Sequence, residues 1–324
     1  MAEQRARSVY RYQPPDPPPL RDLLAGGEGR RRFLRYWVTD NLNNLTDLAV
    51  HFGLKLLPMD ACSALGARLG VFAMPRFHKA AVARARANLK QLLPEASEAE
   101  REALLYRNWQ NLGRLMTEFS IIRRVALSPG RVKGIDPKWV LETAASGPLV
   151  LVGLHLGNWE MKVPPLSALG LKLNANYVPP NARARAWIAE KVRLESGLVL
   201  MPPGRDGIRP ALKALKEGGI VSMFCDEGFQ GWIRGPFLGR PPHLDGNLTL
   251  AVKLARRAGA RIVPWYMLRE EGLNFTFHHL PVIDLPPEES PGARLMEDVI
   301  LLNSVIEPVT RAHLDQWYFL DSGL

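Results

Sequence analysis

The apolar positions change rhythm once along the chain. From residue 33 to about 120 they recur at helical spacing: Leu42, Leu45, Leu48, Ala49, Phe52 and Leu56 form one stripe, and Trp109, Leu112, Leu115, Met116 and Phe119 form another. Pro58 and Pro75 punctuate these helices, and Pro94 closes the one that ends Asn88-Leu89-Lys90-Gln91-Leu92-Leu93. Ser97-Glu98-Ala99-Glu100 has the spacing of a reciprocal helix cap. From about residue 147 short continuous apolar runs appear. Leu149-Val150-Leu151-Val152-Gly153-Leu154 is the pattern of a strand buried on both faces. Further strands are expected at Leu171–Val178, Leu198–Met201, Ile220–Cys225, Arg261–Leu268 and Leu273–Leu280. Helices are expected between them at Arg183–Ser196, Ile208–Glu217 and Leu248–Ala258, with a last one over Pro291–Leu314. This alternation implies an α/β fold: a largely parallel central sheet flanked by helices, preceded by a helical N-terminal region.

The expected organisation has three parts. Residues 1–32 read as a flexible basic, Pro-rich arm, on the strength of Pro14-Pro15, Pro17-Pro18-Pro19 and Gly26-Gly27. Residues 33–130 form the helical region and 131–324 the α/β core, with 33–324 expected to be one integrated domain. Arg30-Arg31-Arg32 leads into Phe33-Leu34-Arg35-Tyr36-Trp37-Val38, a basic and aromatic stretch that suits an anionic membrane surface and equally suits a solvated tail before a packed helix. No run of eighteen uninterrupted apolar residues occurs, so association with a membrane is expected to be peripheral or monotopic.

Composition narrows this picture a little. The net charge of +10 favours an anionic partner but does not choose among nucleic acid, membrane and acidic protein. Zinc-finger spacing and a basic helix with interleaved aromatics are both missing, so nucleic acid is not expected. Two cysteines, Cys62 and Cys225, cannot build a disulfide framework and fit a reducing, cytoplasm-facing environment. His243, His278 and His279 lack metal-ligand spacing, and no bound cofactor is expected.

Candidate chemistry sits where the first buried strand ends. Ligands in open α/β sheets lie beyond the carboxyl ends of strands, and there the sequence reads His155-Leu156-Gly157-Asn158-Trp159-Glu160. Five residues on a regular helix turn about 500° and point two side chains apart. If His155 precedes the helix, Gly157 supplies a turn that brings His155 and Glu160 together, with Asn158 as the cap. A carboxylate on one imidazole nitrogen leaves the other free to take a proton from a hydroxyl. Read by itself, the pair is more often a core histidine beside a capping glutamate, since such spacings are common by chance.

The segment resembles the His-x4-Asp/Glu box of the lysophospholipid acyltransferase superfamily. More narrowly, it is similar to the late acyltransferases of lipid A biosynthesis, of the lauroyl and myristoyl type. The likeness extends to Asn88 through Glu95, Asn111 through Phe119, Arg193 before Gly197, Asp226-Glu227-Gly228, Gly231 through Phe237-Leu238-Gly239, Leu254 through Pro264, Asn303 through Glu307 and Gln316-Trp317, roughly residues 34–318. Departures from the family pattern are Glu227 for glutamine, Leu238 for phenylalanine and a missing threonine near 244.

The resemblance implies an O-acyltransferase that moves a fatty acyl chain from a thioester to a hydroxyl of a (glyco)lipid acceptor. His155 would be the general base and Glu160 its orienting partner. Arg193, held by Asp226, would stabilise developing negative charge, and Gly157, Asn158, Trp159, Glu227 and Phe237 would contact substrate. The implied donor is acyl carrier protein thioester (acyl-ACP) or acyl-CoA, and the implied place is the cytoplasmic face of the inner (plasma) membrane. A thioesterase-like hydrolase and a non-catalytic lipid-binding protein on the same scaffold are the alternatives.

Overall fold

The computed structural model describes residues 10–226, 228–229 and 232–324. Its strands are β1 (Val132–Lys133), β2 (Leu149–Gly153), β3 (Leu173–Asn176), β4 (Leu198–Met201), β5 (Ile220–Phe224), β6 (Gly228–Phe229), β7 (Trp232–Ile233), β8 (Arg261–Arg269) and β9 (Phe275–His279). The N-terminal helices are α1 (Leu20–Leu24), α2 (Gly27–Leu34), α3 (Asp40–Leu56), α4 (Met59–Phe77), α5 (Lys79–Leu92), α6 (Glu98–Glu118) and α7 (Ile122–Ala126). Helices α8 (Pro137–Ala145), α9 (Val163–Ala168), α10 (Arg183–Glu195), α11 (Ile208–Lys216), α12 (Asn247–Ala258) and α13 (Leu295–Ala312) alternate with the strands.

Seven strands form one sheet in the order β1-β9-β8-β2-β5-β3-β4. The five from β8 to β4 are mutually parallel, while β9 runs antiparallel to β8 and carries β1 parallel to itself. The expected α/β architecture with a largely parallel sheet is therefore present. Alternation along β2 explains its continuous apolar sequence. Val150 and Val152 pack into a core with Leu248, Val252, Val299 and Leu302 from α12 and α13. Leu149 and Leu151 face the opposite layer with Val163, Leu166 and Val140 from α9 and α8.

The helical region is tied to the sheet by buried polar contacts as well as by packing. Ser97 and Glu100 cap α6 reciprocally, as their spacing predicts. Gly66 and Gly70 of α4 meet Gly113 of α6 so closely that a Cβ on Gly113 would overlap the Gly66 carbonyl oxygen. That contact brings Ser63 of α4 to the end of α6, where Glu118 is fully buried. Glu118 accepts hydrogen bonds from Ser63 Oγ at 2.5 Å, Asn158 Nδ2 at 2.9 Å and both Arg269 Nη atoms at 2.8 Å. A buried carboxylate is stable only when its lone pairs are matched in this way.

The N-terminal segment differs from expectation in its described part, residues 10–32. Instead of a free arm it forms α1 and α2 and seats an extended stretch on the core. Tyr10 donates its N–H to the Leu200 carbonyl at 3.1 Å, and Tyr12 N–H reaches Glu190 at 2.7 Å. The Trp37 indole donates to the Pro18 carbonyl at 3.1 Å. Proline breaks helices and strands without preventing docking: an extended chain can still offer carbonyls and side chains. Among the described residues, no helix is long and apolar enough to cross a membrane.

Candidate functional site

β2 ends at Gly153, and the chain leaves the sheet through Leu154 and His155. Gly153 is opposite Phe224 of β5, and Cys225 N–H donates back to the Gly153 carbonyl. Adjacent parallel strands thus release their following residues side by side, which sets Asp226 beside His155. The backbone N–H of His155 donates to Asp226 Oδ2 at 2.7 Å, and Nδ1 lies 2.8 Å from Asp226 Oδ1. Trp317 completes the set, donating Nε1–H to Asp226 Oδ2 at 3.0 Å. Because an ionised carboxylate only accepts, this contact suits the tautomer with the proton on Nδ1, which presents Nε2 as the basic nitrogen. Four aromatic rings surround the imidazole: Phe224 stacks on it at 4.0 Å, and Trp159 and Phe319 meet it edge-on at 4.7 and 5.0 Å, with Tyr318 at 6.3 Å.

Glu160 goes elsewhere. Gly157 adopts φ +57°, with the Met267 carbonyl and the Arg269 amide so close that no side chain fits. The following residues, Trp159–Lys162, form a 3₁₀ turn that carries Glu160 toward α10. There Arg193 donates to Glu160 Oε1 from Nε at 3.0 Å and from Nη2 at 2.6 Å. The expected partners are exchanged: Asp226 rather than Glu160 holds His155, and Glu160 rather than Asp226 holds Arg193. Burial pushes the Glu160 carboxyl upward, but the Arg193 charge and hydrogen bonds, helped by Lys162 and His155, hold it below its ordinary value.

Of the expected substrate contacts, Trp159 lines the imidazole. Asn158 is fully buried and donates to Glu118, so it anchors the loop to α6. Phe237 is fully buried against Trp317, in the core beneath the site. Gly157 acts through its backbone. Glu227 and Gly231 lie outside the described residues. Sequence reasoning missed Glu118, whose only signal was its place in a family-like segment. It also missed Lys162, two residues past Glu160.

Lys162 is 3% exposed, with Nζ 3.7 Å from the Trp265 ring centroid and 5.2 Å from that of Phe224. Burial lowers its pKa to about 7, against an opposing pull from Glu160. Because the folded value lies below the ordinary 10.5, the folded state disfavours the proton. The burden is fully present below pH about 7 and is relieved as pH rises toward 10.5. Lys162→Met should therefore raise the unfolding midpoint at pH 6 by more than at pH 10. An equal gain at both pH values would contradict this placement of the charge.

An imidazole held by a carboxylate at the carboxyl edge of a parallel sheet has the geometry of the general-base class, with the chemistry to take a proton from an incoming hydroxyl. Comparison with known proteins gives that class its family. Residues 25–322 match the model of the bacterial lipid A biosynthesis acyltransferases, and the chain belongs to that family. It is an acyltransferase. Lipid A biosynthesis palmitoleoyltransferase of Escherichia coli (strain K12) is 28% identical over 280 residues, covering 83% of this chain and 88% of that protein. Lipid A biosynthesis lauroyltransferase of the same organism is 25% identical over 295 residues, covering 88% and 90%. Among solved structures, the 1-acyl-sn-glycerophosphate acyltransferase PlsC from Thermotoga maritima covers 78% of this chain and 98% of its own, at 10% identity and a TM-score of 0.35.

Proposed function

We propose that the protein transfers a fatty acyl chain from an acyl thioester to a hydroxyl of a lipid A-type glycolipid, with His155 as general base. The observation that carries this reading is the Nδ1 contact to Asp226, which leaves Nε2 as the basic nitrogen within an aromatic collar. The acceptor hydroxyl gives its proton to Nε2 as its oxygen attacks the thioester carbonyl. The tetrahedral intermediate then expels the thiolate, which takes that proton from the imidazolium. Asp226 keeps the imidazole in the correct tautomer and stabilises the imidazolium. Glu160 fixes the Arg193 guanidinium, whose positive charge favours the oxyanion or the polar part of the donor. Either acyl-ACP or acyl-CoA presents the required thioester. The net charge of +10 favours an acidic carrier protein.

The test is product analysis with purified protein, an acyl-ACP or acyl-CoA, and a lipid A precursor as acceptor. The reading expects the acceptor to gain the mass of one acyl chain. Release of free fatty acid with the acceptor unchanged would instead identify a hydrolase.

A peripheral seat on the cytoplasmic leaflet belongs to the same reading. Leu42, Leu45, Phe52 and Leu56 make an outward stripe on α3, between 48% and 86% exposed, and Leu69 and Phe72 are exposed on α4. Arg30, Arg31 and Arg35 are exposed just before the stripe. Apolar area flanked by arginine suits an anionic bilayer surface. Replacing Leu45 and Leu56 together with Glu should cut co-sedimentation with phosphatidylglycerol-containing vesicles severalfold while leaving the unfolding midpoint unchanged. Undiminished sedimentation would remove this surface from the account.

A further inference from the structure

The segment that follows α13 is built into the site. Residues 316–318 run antiparallel to 155–157: Gly157 N–H donates to the Gln316 carbonyl at 3.2 Å, and Tyr318 N–H donates to the His155 carbonyl at 3.0 Å. The Gln316 side-chain amide grips the last residue of β8, its Oε1 accepting from Arg269 N–H at 2.8 Å and its Nε2 donating to the Arg269 carbonyl at 2.9 Å. Asn108 of α6 donates to the Trp317 carbonyl at 2.9 Å, and Asn88 of α5 donates to the Leu320 and Ser322 carbonyls at 2.8 and 2.6 Å. A segment pinned from two helices, the 155–157 loop and a strand has little freedom. Its central residue, Trp317, has no exposed surface.

Among the described residues, the fully buried Asp226 has three donors in reach, and two of them come from His155 itself. The Trp317 indole is the donor that belongs to a different element, so it ties the carboxylate to a body other than the histidine it must orient. Without it, Oδ2 keeps a single partner among the described residues and the carboxylate can turn about its χ2 axis, which is broad for an sp³–sp² torsion. A base and its orienting group lose rate steeply when their geometry loosens. We infer that Trp317 is a positioning residue for acyl transfer, holding Asp226 so that His155 keeps Nε2 aimed at the acceptor hydroxyl. This inference rests on the proposed role of His155 and Asp226.

Two replacements test it in the full-length protein. Trp317→Phe removes the donor along with part of the ring. Site-specific insertion of 3-benzothienylalanine at 317 keeps the bicyclic outline and puts sulfur in place of N–H, so it decides the matter even if the phenylalanine variant folds poorly. Each should lower kcat ten- to a hundredfold, the range of a hydrogen bond to a charged group, with KM within about twofold. Each should also move the downfield proton resonance of the imidazole Nδ1–H, assigned by its loss in His155→Ala. Asn88→Ala loosens the same segment without touching Asp226 and should leave both readouts at wild-type values. Wild-type kcat and an unmoved resonance in the benzothienyl variant would overturn the inference. If the two variants and Asn88→Ala fell equally, the role of Trp317 would be structural, which also overturns it. Full activity of His155→Ala would instead overturn the underlying reading, so the two failures are distinguishable.

Discussion

Asp226→Asn should lower the turnover of acyl transfer by about 10³–10⁴-fold, the loss seen when the carboxylate of a histidine–aspartate pair becomes an amide. The amide would preserve the shape but offer an N–H to Nδ1 or to the His155 amide, both of which now meet acceptor oxygens. The imidazole would then favour the tautomer whose proton sits on Nε2, the nitrogen that must be empty. KM should hardly change, since Asp226 has no exposed surface from which to touch substrate. Steady-state kinetics with an acyl thioester and a glycolipid acceptor checks this. The companion variant Glu160→Gln keeps a hydrogen-bond acceptor for Arg193 and should cost far less. The reverse order of severity would restore Glu160 as the partner of His155.

Arg193→Ala should be the most destabilising substitution near the site. The Glu160 side chain is 10% exposed and its near partner is Arg193, at 2.6 Å. Removing the guanidinium strands a buried carboxylate, and breaking one side of such a pair costs about 3–5 kcal/mol. Lys162 softens the loss, because its ammonium also draws on Glu160. The effect depends on pH in a defined direction. Glu160 has its folded pKa below its ordinary 4.5, so its pairing stabilises the protein fully above pH 4.5 and progressively less as pH falls below it. Chemical denaturation should show a large gap between wild type and Arg193→Ala at pH 7 that narrows toward pH 3. A gap that does not change with pH would mean that Arg193 acts through packing alone.

Much of the fold was legible because its signals are local. A run such as Leu149–Gly153 can be buried on both faces only in a sheet covered on both sides, and the capping residues of α6 sit at the spacing that backbone geometry demands. The short β1 and α8 went unread: two residues carry no period, and α8 is marked mainly by Asp136-Pro137 at its start. For the candidate site, the sequence singles out the polar side chains but not their pairing. His155, Glu160, Arg193 and Asp226 were all picked out. Which carboxylate meets which cation depends on β5 lying next to β2, and strand order is a non-local property that no spacing along the chain encodes. Helical geometry had already warned that residues five apart diverge. The structure resolves this with a 3₁₀ turn that delivers Glu160 to α10. Asn158 and Phe237 show the same limit, since family-like motifs mark positions under constraint without saying whether they face the ligand or the core.

The most direct measurement is the rate of acyl transfer from thioester to glycolipid by purified His155→Ala, made beside wild type at matched folded concentration. Loss of the base should lower the rate by about 10²–10⁴-fold while circular dichroism and the unfolding midpoint stay close to wild type. A folded His155→Ala protein that transfers acyl chains within a fewfold of the wild-type rate would contradict the account at its centre.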